Sequence, residues 1–271
     1  MKAYLRKLTA DAGSPLMARQ LVREYLQVRI LQSLQRAGAM HALAFHGGTA
    51  LRLLFAIPRF SEDLDFSLEQ ASGAYDLQAY LRVIDRDFSA EAYVIQIKVN
   101  DRKVVQSAII RFSGLLHELG LSGHKTEVLS IRLEIDTNPP RGVVLTTTPI
   151  QRHVRLNLLH HDRASLLAGK LHAVLQRGYS KGRDIFDLWW YLSQPEWPEP
   201  NLNLLNYALS QSGWTGPDLS ADNWRAIVQE RVEQLNWQED VTRDIQAFII
   251  DSDLEKQLHK ESLINLLGRS L

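Results

Sequence analysis

The sequence predicts an α+β protein, with a small mixed sheet and flanking helices over residues 1–158 and a helical domain over residues 159–271. Three patterns predict it. Residues 43–68 read as a strand, a double-glycine turn, an apolar helix and a returning strand, all in one short run. Residues 92–99, 104–112 and 128–137 alternate apolar and polar side chains, the period of a half-buried strand. From Arg163 onward apolar residues recur at helical spacing.

Each element follows from local chemistry. Pro15 to Met40 carries apolar residues at three- and four-residue steps, with Ser14-Pro15 as a start signal and Gly38 as a stop. Leu43 to Phe45 is a short apolar strand, Ala50 to Ala56 an apolar helix, and Pro58 sits in the turn before the Asp63-Leu64-Asp65-Phe66 strand. Tyr75 to Phe88 is a helix, and Asn100-Asp101 supplies the turn between the next two strands. Asn138-Pro139-Pro140 ends the strand that begins at Val128. Val143 to Thr148 is a β-branched strand, and Gln151 to Leu159 reads as a bridge to the second half. Ala164 to Arg177 and Arg183 to Leu192 are helices separated by a break at 178–182. After a Pro- and Trp-rich connector, helical patterns cover about 201–212, 222–235, 238–250 and 254–268.

Composition narrows the function. Lys plus Arg equals Asp plus Glu at 31 each, so contact with nucleic acid requires a local basic patch and not a global field. The absence of cysteine excludes disulfides, thiol chemistry and thiolate metal sites. No apolar run approaches the ~20 residues of a membrane helix, and the first residues carry no stretch of signal-peptide length. A cytoplasmic location with no membrane partner is therefore expected.

The chemistry concentrates at 43–68. Gly47-Gly48-Thr49 at a strand-to-helix turn lets backbone approach a ligand, and the helix start favours an anion. Asp63 and Asp65, two apart on a strand, project to one side at roughly 6–7 Å between Cα atoms. Such a pair suits divalent magnesium. Arg59 and Ser61 lie beside them, Arg59 able to neutralise phosphate oxygens. On the Val128 strand Glu134 and Asp136 share a face; Asp136 is the favoured third metal-side carboxylate or base, with Glu134 the alternative. Lys170 lies on the shoulder of an apolar helical stripe, where its ammonium could reach a triphosphate. Asp184 and Asp187 share a face at the next helix start, where acids complement the helix dipole.

The string F-H-G-G-T-A-L-R…P-R-F-S-E-D-L-D-F resembles the first motif of the polymerase-β-like nucleotidyltransferase superfamily, and more narrowly its AbiEii/AbiGii toxin branch. Gly48-Thr49 stands where the superfamily has Gly-Ser; the hydroxyl is kept. E-I-D-T-N-P-P and A-G-K-L-H-A…K-G-R-D-I-F-D-L-W-W resemble later segments of that branch, with Lys170 and Asp184 matching its lysine and aspartate. The resemblance implies a polymerase-β-like palm followed by a helical domain. It implies a magnesium-dependent nucleotidyltransferase toxin of a toxin–antitoxin or abortive-infection system. Such an enzyme takes a nucleoside triphosphate and transfers NMP to an acceptor hydroxyl, for which the tRNA 3′ end is the first expectation. Asp63, Asp65 and Asp136 are then the metal and catalytic carboxylates, with Lys170 and Asp184 completing the site. A cognate antitoxin is the implied partner. Arg152, Arg155, Arg177, Lys181 and Arg183 are candidates for an RNA-binding patch. Nucleotidylation of a protein hydroxyl, or a non-catalytic nucleotide- or partner-binding module, are the alternatives.

Overall fold

A computed structural model describes residues 2–69, 75–177, 181–250 and 252–268. The chain divides into two compact units. The first comprises Met1–Phe55, Phe60–Pro139 and Thr147–His160, the second Ala56–Arg59, Pro140–Thr146 and His161–Leu271.

The first unit opens with helices α1 (Lys2–Ala10) and α2 (Pro15–Arg36). Ser14 caps α2 by accepting from the Met17 N–H, and Pro15 fills the first helical position. Strand β1 (Leu43–His46) runs directly into helix α3 (Gly47–Phe55), and β2 (Leu64–Leu68) returns antiparallel to β1. Helix α4 (Leu77–Ala90), capped by Asp76, precedes β3 (Ile95–Asn100) and β4 (Val105–Ser113). A short helix α5 (Leu115–Glu118) leads to β5 (Val128–Asp136), then β6 (Leu145–Arg152) and β7 (Val154–His161).

Together these strands form one mixed seven-stranded sheet in the order β3-β4-β5-β2-β1-β7-β6. β2 lies parallel to β5, and β1 parallel to β7, while the β3-β4-β5 run is antiparallel. One face of the sheet packs the core: Phe45 against Phe66, and Phe112 against Phe88 of α4. Segment 151–159, expected as a bridge, is instead strand. The reason is visible in its alternation: Leu156, Leu158 and His160 are buried while Arg155 and Asn157 are exposed. His153 turns the β6–β7 hairpin in the left-handed region, φ 59°.

The second unit is built from α6 (Arg163–Gln176), α7 (Gly182–Leu192), α8 (Leu202–Gln211) and α9 (Trp224–Glu233). A π-helical turn (Trp237–Thr242) and α10 (Arg243–Ile245) follow, then α11 (Ser252–Gln257) and α12 (Lys260–Leu267). Asp162 caps α6, and Asn201 caps α8. Trp224 is fully buried, and Trp197 packs edge-on against Trp190 and Tyr191. The expected break between α6 and α7 falls partly on residues 178–180, which lie outside the described residues. Among the described residues, no helix is long and apolar enough to cross a membrane.

Candidate active site

The glycine turn and the acidic strand meet in the first unit. α3 begins at Gly47, whose φ of 77° is left-handed and suits a residue without Cβ. A Cβ there would run into the carboxylate of Asp65. Gly47 is therefore required twice, for its backbone and for the space that Asp65 fills. Gly48 and Thr49 are buried in the first turn of α3. The Thr49 hydroxyl donates to the Asp63 carbonyl, so it pins the chain that carries the acids to the helix that starts at the glycines. Asp63 precedes β2 by one residue, and Asp65 lies within it. The Ser61 carbonyl accepts from Gln27 Nε2 at 3.0 Å, which fixes the approach to that strand.

Register distinguishes the two third-acid candidates. Asp65 is the Cα partner of Glu134 across the parallel β2–β5 pair, whereas Asp136 stands opposite Ser67. Partners across a pair of strands share a face. Glu134, the alternative, is thus the direct neighbour of Asp65. Asp136 is one pleat further on, with one carboxylate oxygen accepting from Asn138 N–H at 2.9 Å. His46 is the partner of Asp65 on its other side. One row of side chains therefore crosses five strands: Asn100, Ser107, Glu134, Asp65 and His46. Neither Glu134's pairing with Asp65 nor His46's could be read from the sequence, because both depend on which strands pair.

The second unit holds the other candidates, in one charged cluster. Arg59 is 2% exposed and forks onto Asp187, with Nε to Oδ1 and Nη2 to Oδ2 both at 2.5 Å. Lys170 Nζ lies 2.7 Å from Asp187 Oδ2 and 3.0 Å from Asp184 Oδ1. Arg177 closes the set by donating to the second oxygen of Asp184. Asp244 adds its charge to those of Asp187 and Asp184 around Arg59. Burial disfavours charge on Asp184, yet Lys170 and Arg177 outweigh it and hold its carboxyl below the usual range. Burial likewise works against the Lys170 ammonium, and Asp187 and Asp184 outweigh it and raise its pKa. An ammonium has three N–H donors, and two go to these acids. Arg59, the expected phosphate contact, forks onto Asp187. The burial of Asp187 itself was not foreseen; its only sequence signal was the three-residue spacing from Asp184.

Among the described residues no three His, Asp or Glu groups converge at metal-ligand spacing. Magnesium does not demand three. It keeps several waters and takes one or two carboxylates plus substrate phosphates. Asp63 and Asp65 are hard oxygen donors of the kind it binds, and the shape of Gly47 is matched to the Asp65 carboxylate.

The family model for the AbiEii nucleotidyl transferase toxin of type IV toxin–antitoxin systems matches residues 29–260. Three solved structures are similar in fold. MenT4, a nucleotidyltransferase toxin from Mycobacterium tuberculosis, aligns at a TM-score of 0.58 and 17% identity, covering 100% of this chain and 90% of that one. A putative nucleotidyltransferase from H. pylori aligns at 0.54 and 20%, covering 92% and 91%. JHP933 from Helicobacter pylori aligns at 0.54 and 20%, covering 92% and 90%. No curated protein matches the sequence.

Proposed function

We propose that this chain, which belongs to the AbiEii nucleotidyl transferase toxin family of type IV toxin–antitoxin systems, transfers NMP from a nucleoside triphosphate to an RNA 3′ hydroxyl, with tRNA as the acceptor. The observation that carries the reading is the junction at Gly47, where a helix start and the Asp65 carboxylate are brought into contact distance by a residue that can have no side chain. Free N–H groups at a helix start and a carboxylate beside them are what a magnesium triphosphate requires.

Asp63 and Asp65 would hold magnesium, with Glu134 or Asp136 as the third acid on the neighbouring strand. Magnesium, when bound, supplies charge neutralisation on the phosphates and orients the α-phosphorus for in-line attack. The chain's own groups do the rest. The backbone of Gly47 and Gly48 binds phosphate oxygens, and Thr49 keeps Asp63 in place. The reading assigns the remaining Lys170 donor to the triphosphate, where its charge offsets that building on the leaving pyrophosphate. Asp184 and Asp187 position that ammonium. A carboxylate of β5 accepts the proton of the attacking hydroxyl. The family also supplies the partner, an antitoxin, and the expected setting is the cytoplasm.

The experiment is incubation with magnesium, each labelled triphosphate in turn, and either total RNA or total protein. Label enters RNA if the reading is right. Label in protein alone moves the acceptor to a protein hydroxyl, and bound nucleotide without transfer makes the chain a binding module. Asp65→Ala is expected to abolish both transfer and growth arrest while the melting temperature stays close to that of the parent. Growth arrest by that variant at equal expression would remove Asp65 from the mechanism.

A further inference from the structure

Three of the five basic residues expected to meet RNA are held in ion pairs. Arg152 donates to Glu24, Arg177 to Asp184, and Arg183 to Asp244. A different cationic surface lies in the first unit, on the sheet face that carries Asp65.

β4 and β5 bury one face, through residues such as Ile110, Phe112, Ile131 and Leu133, and β3 half-buries Ile95, Ile97 and Val99 on it. Their other face is open. Strand register arranges it in rows. Gln96, Arg111 and Ser130 form one row, and Lys98, Ile109 and Arg132 the next. The row after that is the one that reaches Glu134 and Asp65. Lys98, Arg111, Arg132, Gln96 and Ser130 are all exposed. These two rows carry three cations and no carboxylate; the acids begin one row on, at Glu134. Arg132 gives one N–H to Glu134 at 3.3 Å. The side chains of Lys98 and Arg111 make no hydrogen bond or ion pair among the described residues. Successive rows lie about 7 Å apart and neighbouring strands about 4.8 Å apart. The three cations thus sit within roughly 7–14 Å of the Asp65 row, on the same face.

We propose that this open face of β3–β5 seats the phosphodiester backbone of the RNA acceptor, with Lys98, Arg111 and Arg132 as its phosphate contacts and the Glu134–Asp65 row at the end where the hydroxyl reacts. The proposal rests on the RNA reading given above. Charge complementarity carries it: Lys98 and Arg111 have no acid partner among the described residues, Arg132 spends one N–H on Glu134, and the two rows they occupy hold no carboxylate, so they suit a polyanion, and a chain of zero net charge has no long-range field to substitute for them. The two cationic rows hold no aromatic residue, so bases have no ring to stack on there, and the contact is to backbone and indifferent to sequence.

The test is the triple variant Lys98→Gln/Arg111→Gln/Arg132→Gln, with bulk tRNA as the probe. Its KM for tRNA is expected to rise about tenfold or more while its KM for the triphosphate stays unchanged. Its log K against log salt for labelled tRNA should be shallower by about 2–3, since each phosphate contact contributes about 0.7–0.9 to the slope. The charge-keeping set Lys98→Arg/Arg111→Lys/Arg132→Lys should restore both. Arg82→Gln/Arg86→Gln, on the exposed side of α4, is the control for bulk charge and should change neither. If the parent labels tRNA but the triple variant keeps its KM for tRNA and its salt slope, the surface assignment is wrong and the reading of function stands. If the parent labels protein and not RNA, the acceptor reading fails first, in the unmutated chain, and this assignment goes with it.

Discussion

Gly47 shows how much one missing methyl can hold in place. Its left-handed backbone would cost any other residue about 1–2 kcal/mol, and a Cβ would also displace the Asp65 carboxylate. Gly47→Ala is therefore expected to lower stability by about 2 kcal/mol or more in a denaturant titration and to reduce transfer further than the stability loss explains. Equal transfer by a folded Gly47→Ala chain would show that Asp65 has freedom the contact denies it. The charged cluster makes a second residue-scale prediction, about pH. The carboxyl of Asp184 is held below its ordinary value near ~3.9, so its stabilisation is present above that value and is lost as pH falls through the depressed one. Lys170 is raised above ~10.4, so its share is present below that value and lost as pH climbs through the raised one. Melting temperature against pH should fall at both ends. Asp184→Asn should flatten the acid limb, and Lys170→Met the alkaline limb; an unchanged acid limb in Asp184→Asn would mean that other carboxyls dominate it.

At the scale of elements, the first unit is tied together by a buried acid. Glu24 of α2 is 2% exposed in its side chain and binds Arg52 of α3 at 2.6 Å, with Arg152 at the end of β6 on its other oxygen. Arg52 in turn lies over the Phe60 ring. Glu24→Ala would leave Arg52 largely buried without its carboxylate, a loss of about 3 kcal/mol or more, read as a lower denaturant midpoint with unchanged slope. A loss below about 1 kcal/mol would mean that Arg52 swings out to water. Glu24 also shows what sequence reading can miss. Nothing in a helix of mixed composition marks one glutamate as the anchor for residues 28 and 128 positions away. α2, α3, α4 and the strands β1 to β5 were legible because each carries its own period and its own cap or turn. β7 was not: its polar positions Arg155 and Asn157 looked like a connector, and only pairing with β1 explains its buried alternates.

At the scale of the molecule, motifs were legible and their partnerships were not. The glycine turn, the Asp63/Asp65 pair and Lys170 stood out by residue type and spacing, and Asp184 by its resemblance to the family's aspartate. The partners of Asp187 and Glu134, and the open cationic face, became visible only once helices and strands had neighbours, since ordinary residues acquire meaning there by register. That division bears on how the whole chain should respond to its ligands. On the proposed reading, with Asp63 and Asp65 as its protein ligands, magnesium alone would have an incomplete shell of protein donors, and the triphosphate would complete it. Magnesium alone, or a chelator alone, should then leave the melting temperature nearly unchanged. Magnesium with a saturating non-hydrolysable triphosphate should raise stability by about 2.7 kcal/mol at a hundredfold excess over Kd, and the chelator should abolish that gain. Asp65→Ala should show no gain under any combination. A large stabilisation by magnesium alone, retained without nucleotide, would show instead that the protein builds a complete metal site by itself, and the roles given to Asp63 and Asp65 would have to be shared with residues assigned none here.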